Sequence, residues 1–189
     1  NRGITIGDIQ YSRNIFSFRW TNEEREAIGL YEVVFDNTNK KDEEYYNNTE
    51  QTFTYDADAG TVTATYGDAT AKAHADTLFT SDDEDNGLGT EGEVKVEGLK
   101  TRKIRIIKKQ AASELARTDW YIVRKADADT AIPSAITNHR AAVRTKCAQM
   151  ETAVTNASNT AAIKTLYTYT KQEDGSITRP LGELPTLEV

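Results

Sequence analysis

The densest set of potential ligands in this 189-residue chain is an acidic stretch, residues 80–93 (TSDDEDNGLGTEGE). Counted from Asp82, it places Glu84 at position 3, Asn86 at position 5, Gly87 at position 6 and Glu93 at position 12 of a calcium-loop spacing. Hard Ca²⁺ needs several oxygens gathered by one sharp turn, and this order offers them. Two features depart from that pattern. Glu84 is longer than the usual Asp or Asn, and Gly89 stands where a β-branched residue belongs. The flanks do not read as paired amphipathic helices, so a solvated acidic loop is the simpler expectation. The remaining inventory for catalysis is thin. There is one cysteine, Cys147, and there are two histidines, His74 and His139, far apart in sequence. A single cysteine excludes an internal disulfide and a multi-cysteine zinc site. Cys147 falls on an apolar helical stripe, Ser113 has no nearby histidine, and no Gly-rich phosphate loop or nucleophile elbow occurs. The residues therefore point away from an enzyme and imply no cofactor.

Two further groups could recognise a partner. Lys100, Arg102, Lys103, Arg105, Lys108 and Lys109 form a basic run, yet on a helix they spread around the cylinder, and no aromatics interleave to stack on bases. With 23 basic against 30 acidic residues the whole chain carries a formal charge of -7, which is not a nucleic-acid-binding composition. Tyr45–Tyr46 and the trio Tyr31, Tyr55 and Tyr66 have the rigid, amphipathic rings common in recognition surfaces. Packing on a small sheet explains them equally well.

The elements that must position these residues follow from periodicity. Apolar residues are 38% of the chain, a modest core, and no apolar run approaches a membrane helix. Thr is the commonest residue, at 26, against 9 Leu, which favours exposed pleated structure. Ile4–Ile6 and Ile15–Phe18 lean toward strands. Thr21 and Glu24 form a capping box for a short helix over 22–28, with Gly29 suited to its left-handed end. Residues 30–36 read as a strand, and 51–55 with 61–66 as a hairpin turning over 56–60. Residues 69–78 read as a strand or a short helix. From Gly98 the pattern becomes helical, with Ile104, Ile107, Ala111 and Leu115 on one face. Residues 119–124 lean toward strand or extended chain. Pro133 and Ser134 open the longest helix, whose stripe is Ile136, Val143, Cys147, Met150 and Val154, with Arg140 in the remaining slot. Asn159–Thr160 can cap a further helix, 167–178 is a hairpin candidate around Asp174–Gly175, and Arg179–Val189 reads as an extended tail.

Residues 1–98 carry 8 basic and 21 acidic groups, whereas 99–189 carry 15 and 9. That asymmetry predicts two modules, part of whose charge is complementary. The expected class is α+β: a small acidic antiparallel β module over 1–79, an exposed acidic linker over 80–97, and a basic helical-hairpin module over 98–189 ending in the extended tail. A chain beginning at Asn1 implies either an initiator Met ahead of it or a cleaved leader.

Two stretches resemble tailed-bacteriophage proteins. Leu115-Ala116-Arg117-Thr118-Asp119-Trp120, then Pro133, then His139-Arg140-Ala141-Ala142-Val143-Arg144, resembles a pattern near the C-terminal end of phage tail-fibre assembly and tail-associated proteins. There a helix leads to a T-D-W turn and a second helix carries two arginines. His139 stands where the pattern usually has Tyr, and Val143 where it has Leu. The opening Trp20-Thr21-Asn22-Glu23-Glu24-Arg25 with Ala27-Ile28-Gly29 is similar to one in related virion proteins, as are Glu173-Asp174-Gly175 and Thr178-Arg179-Pro180-Leu181-Gly182.

The resemblance implies a virion structural or assembly protein at a tail-fibre or baseplate junction. It would reside in the tail, and in the host cytoplasm during assembly. Its partners would be other virion proteins or a second copy of itself, with neither nucleic acid nor membrane insertion involved. Physically, Asp119 can accept a charge-assisted bond from Arg140 or Arg144, and Trp120 can fill the gap between the two helices, locking a hairpin. Pro180, Leu181, Leu184 and Pro185 would lie along a neighbour. A head decoration or neck protein is the nearest alternative. A Ca²⁺-dependent carbohydrate- or surface-binding module, using the tyrosines and the acidic loop, is the alternative of another class.

Overall fold

The computed structural model describes residues 3–17 and 19–187. Phe18 and the last two residues of the expected tail therefore lie outside the described residues, as does Asn1. The chain is α+β, with six helices and small sheets among the described residues, and it divides into two compact units, residues 1–70 and 71–189.

The first unit begins with a hairpin, β1 (Ile4–Ile6) and β2 (Ile9–Tyr11). The expected strand at Ile15–Phe18 is instead a 3-10 turn, Arg13–Phe16, started by the Ser12 hydroxyl. Ile15 points inward there and is buried. Helix α1 (Asn22–Glu26) starts as the sequence predicts. Thr21 Oγ1 accepts from the Glu24 N–H, and Glu24 returns a bond to the Thr21 N–H at 2.8 Å. It closes with Gly29 at φ +83, the Gly29 N–H on the Glu26 carbonyl and the Leu30 N–H on the Arg25 carbonyl. Arg25 holds the 3-10 turn against α1 by donating to the carbonyls of Ile15, Ser17 and Trp20 and to Asn22 Oδ1.

Strands β3 (Val33–Asp36), β5 (Gln51–Asp56) and β6 (Thr61–Tyr66) form a sheet in the order β3-β6-β5. A two-residue strand, β4 (Tyr46–Asn47), lies between the first two in sequence. The β5–β6 hairpin is as expected, with Asp56 accepting the N–H groups of Asp58 and Ala59 in its turn. The sheet is not wholly antiparallel: β3 runs parallel to β6, with Phe35 opposite Ala64. Alternation fixes which residues share a face but carries no strand direction. Register puts Val33, Phe35, Phe53, Tyr55, Val62 and Ala64 on one face and a ladder of threonines on the other.

The division lies ahead of the acidic stretch, which belongs to the second unit and is not a free linker. After β7 (Thr70–Ala71), which spans the division, residues 72–76 bond to the helical unit. The Leu99 and Lys100 N–H groups donate to the carbonyls of Ala73 and His74, and Thr160 Oγ1 donates to the Lys72 carbonyl. The acidic stretch is then folded. Strands β8 (Thr77–Leu78) and β9 (Val94–Val96) pair antiparallel and enclose a short helix, α2 (Ser81–Asp85), capped by Thr80 and Asp83.

Helix α3 (Leu99–Ala116) has Gly98 at its N-cap, which offers no side-chain acceptor. Asp76 supplies one from the preceding loop, taking the Gly98 N–H at 2.6 Å and the Thr101 hydroxyl at 2.7 Å. These bonds hold its carboxyl below the usual Asp range, the Thr101 bond contributing most. A Cβ on Gly98 would stand 2.3 Å from the Ala75 carbonyl group. Gly98→Ala is therefore expected to cost about 2 kcal/mol, because backbone and not a flexible side chain must move. Urea unfolding checks this, and an unchanged midpoint would refute the close approach.

Residues 119–128, expected in part as extended chain, are helix α4 (Asp119–Ala128). Helices α5 (Ser134–Asn156) and α6 (Thr160–Tyr167) follow, then the hairpin β10 (Thr170–Lys171) and β11 (Ile177–Thr178). Asn159 caps α6 as predicted. The predicted stripes of α3 and α5 meet: Ile107, Met150 and Val154 are buried together. The C-terminal segment closes this core. Leu181 is only 2% exposed within it, and Leu184 packs alongside.

Candidate functional site

The two halves of the T-D-W motif converge at the corner between α3 and α4. Arg140, on α5, is buried, and its Nη1 donates to the Leu115 carbonyl and to Thr118 Oγ1, each at 2.7 Å. The same nitrogen lies 2.8 Å from Asp119 Oδ1. Thr118 is buried and donates its own hydroxyl to Leu115. A cation thus sits on the carbonyl end of α3, where the helix dipole favours it, while its carboxylate partner starts α4. The expected Asp119–Arg140 pairing is present, made through Arg140 and not Arg144. Arg144 lies on the exposed side of α5, outside this cluster.

Trp120 does not fill the gap between helices. It is 57% exposed, with the Arg124 guanidinium 4.6 Å over its ring and Tyr121 beside it. The reason is angular: Asp119 and Thr118 turn toward Arg140, so the next residue of the helix points away. Trp120 and Val123, three residues apart, form an exposed apolar edge on α4.

The tyrosines do not form one surface. The Tyr31 and Tyr55 rings lie against each other, centroids 4.4 Å apart and tilted by 45°. Tyr66 pairs with Gln51 at the other end of the β5–β6 hairpin, under Lys40. Tyr45 is buried, and Tyr46 lies against Lys41. The tail residues divide as well. Leu181 and Leu184 belong to the core, because Leu181 also donates its N–H to the Leu166 carbonyl, while Pro180 is exposed and Pro185 half-buried. Arg179 packs over the rings of Tyr167 and Tyr169 and pairs with Glu183, folding this segment back on the unit.

The acidic stretch is occupied with its own fold. Asp83, between two of the candidate ligand positions, pairs with Lys95 at 2.6 Å and accepts the Thr80 N–H. Glu84 accepts the Glu91 N–H, and Asn86 donates to the Asp82 carbonyl. Helix α2 runs through the first positions of the expected loop, so Asp82, Glu84, Asn86 and Glu93 are not gathered around one point. Among the described residues no group of three His, Cys, Asp or Glu side chains is close enough to hold a metal ion.

The Lys95 contact and the Thr80 bond bring the Asp83 pKa down to about 2. Since the folded value lies below the ordinary 3.8, this contribution to stability is complete above about pH 4 and is lost as pH falls toward 2. Carboxyl NMR titration should find Asp83 titrating near 2, and Lys95→Gln should return it toward 3.8. An unmoved value in the variant would refute the Lys95 contact as its main cause.

Most of the basic run of α3 has partners within the chain, in part through exposed ion pairs. Lys100 donates to the Thr155 carbonyl, Arg105 pairs with Glu97, and Lys108 pairs with Glu151. Lys103 is buried over the Tyr167 ring. Cys147 is half-buried against the core, and burial together with the Glu151 bond pushes its thiol pKa up, away from nucleophilic chemistry. His139 is buried beside Arg140 as a packing residue.

No protein-family model, no curated protein and no solved structure matches this chain.

Sequence reasoning found the Asp119–Arg140 pair but missed Thr118, the buried hydroxyl between them. Its signal was available: a threonine directly before the first acidic residue of a helix. It also missed Arg25 and Asp76, whose partners are set by folding and not by spacing. Among the described residues no helix is long and apolar enough to cross a membrane.

Proposed function

We propose that this chain is a non-enzymatic structural or assembly protein of a tailed-bacteriophage virion, associated with the tail fibre or baseplate, and that it works by protein–protein docking. The observation that carries this reading is the bonding between the two halves of the motif. Arg140 reaches Leu115, Thr118 and Asp119, so the residues of the resemblance act as one structural unit. That unit fixes a rigid corner and turns Trp120 and Val123 outward. An exposed tryptophan on a short, pinned helix is the kind of anchor on which interfaces concentrate their binding energy. The internal engagement of the α3 cations supports a protein partner over a nucleic acid. The dispersed ligands of the acidic stretch give the calcium-dependent alternative no support.

The test is to purify particles from a host producing this protein and locate the chain by mass spectrometry and immunogold microscopy. Label on tails, or on tail-fibre intermediates alone for an assembly factor, is expected. Label on heads or necks would move the protein to the nearest alternative. Absence from both particles and intermediates would overturn the proposal.

A further inference from the structure

Strand β5 is an edge. Among the described residues, in the order β3-β6-β5, only one side of it is paired, by β6, and five of its six residues are exposed. Proteins ordinarily blunt such an edge with Lys, Pro, a bulge or a covering loop. Within Gln-Thr-Phe-Thr-Tyr-Asp there is no Lys, Pro or Gly, and the β5–β6 register runs without a shift from Gln51 to Asp56. Its alternating aromatic and threonine side chains have high β propensity. The apolar face beside it is open too, with Phe35 62% and Phe53 63% exposed on either side of the fully buried Ala64.

We propose that β5 pairs antiparallel with β5 of a second copy of this chain, joining two three-stranded sheets into one of six strands. Two identical strands meeting across a two-fold axis must run antiparallel, and the side chains choose the register. Centred on Phe53, the pairing would set Asp56 against the second copy's Glu50, two like charges directly opposite. Centred on Thr52, it would set the aromatic Tyr55 against Thr49 and Phe53 against Gln51. Centred on Thr54, the pairs formed between residues 52 and 56 are all favourable, and Gln51 and Glu50 fall opposite Ala57 and Asp58, which belong to the β5–β6 turn and not to the strand. Thr54 meets Thr54, Phe53 meets Tyr55 twice, and the Thr52 hydroxyl meets the Asp56 carboxylate twice. The last contact places each Asp56 carboxylate on a donor, where the Phe53 register would hold it against a carboxylate, so the charge at the strand's end discriminates between these two registers. In each of these registers odd positions meet odd positions, so the apolar faces of the two copies become continuous.

Residues 1–70 carry 6 basic and 13 acidic groups, so the two sheets repel at long range. Dimerisation should therefore tighten as salt rises, the reverse of an association held by ion pairs.

Single-cysteine chains test the register, with Cys147→Ala in the background. Under mild oxidation Thr54→Cys should crosslink to itself. Thr52→Cys, which would lie four residues out of step with its own copy, should not. The unmodified chain should approach twice 21.0 kDa by light scattering at high concentration and salt. Thr54→Lys should return it to monomer with unchanged thermal stability, although this variant lowers the net negative charge. Equal crosslinking at positions 52 and 54 would overturn the register. A dimer that survives Thr54→Lys, or a monomer under all conditions, would overturn the proposal. These outcomes are independent of where the chain is found in a virion.

Discussion

Arg140→Ala should lower stability by about 3 kcal/mol, and the thermal midpoint by about 10 °C. The variant removes a buried cation that satisfies the Leu115 carbonyl at the end of α3, the Thr118 hydroxyl and the Asp119 carboxylate at once. Hydrogen bonds to a charged group are worth about 1.5–3 kcal/mol each, and the groups left behind are partly shielded from water. Asp119→Asn should behave differently. Asp119 is largely exposed, so an ion pair there contributes less than about 1 kcal/mol. Arg140→Lys should fall between, since an ammonium keeps the charge but ends a shorter side chain than the one that brings Nη1 to all three acceptors. Calorimetry on the three variants measures the asymmetry. Equal losses for Arg140→Ala and Asp119→Asn would mean that the ion pair, not the helix-end bonds, holds the corner.

Leu181→Ala should cost about 3 kcal/mol, within the range for truncating a buried leucine. Leu181 is buried with Ile107, Met150 and Val154, and Leu184 packs beside them. Pro180→Ala, one residue away on exposed chain, should be nearly neutral. The contrast separates the two meanings of this segment. Were residues 179–187 an arm for a neighbour, Leu181→Ala would leave the isolated protein's midpoint untouched and weaken only assembly. Denaturant unfolding of the purified chain decides between them, and an unchanged midpoint would return the segment to the role its prolines suggested.

Where the sequence was legible, the information was local or periodic. The stripes of α3 and α5, the Thr21–Glu24 capping box, the Asn159 cap and the β5–β6 hairpin each depend on residues a few positions apart. Helix α4 was not legible. Ile122 and Val123 are β-branched and bias a short window toward strand, but the restrained end of α3 and the acidic first turn at Asp119 favour another helix. The direction of β3 and the burial of Leu181 depend on partners dozens of residues away, which no spacing encodes. The Asp119–Arg140 pairing was readable from complementary chemistry. The outward turn of Trp120 was not, because it follows from which neighbour its helix has already engaged.

The closing of the helical core by Leu181 and Leu184 also orders events during synthesis. The first unit has all its residues by position 70, while the core of the second cannot be completed until position 184 has been made. At ordinary ribosome speeds the lag is on the order of ten seconds. Throughout it, the finished β sheet hangs from a growing chain with its β5 edge uncovered, and neighbouring ribosomes on one message hold further copies close by. A second copy of the right strand is then the nearest partner available, so pairing can begin while the helices are still being translated.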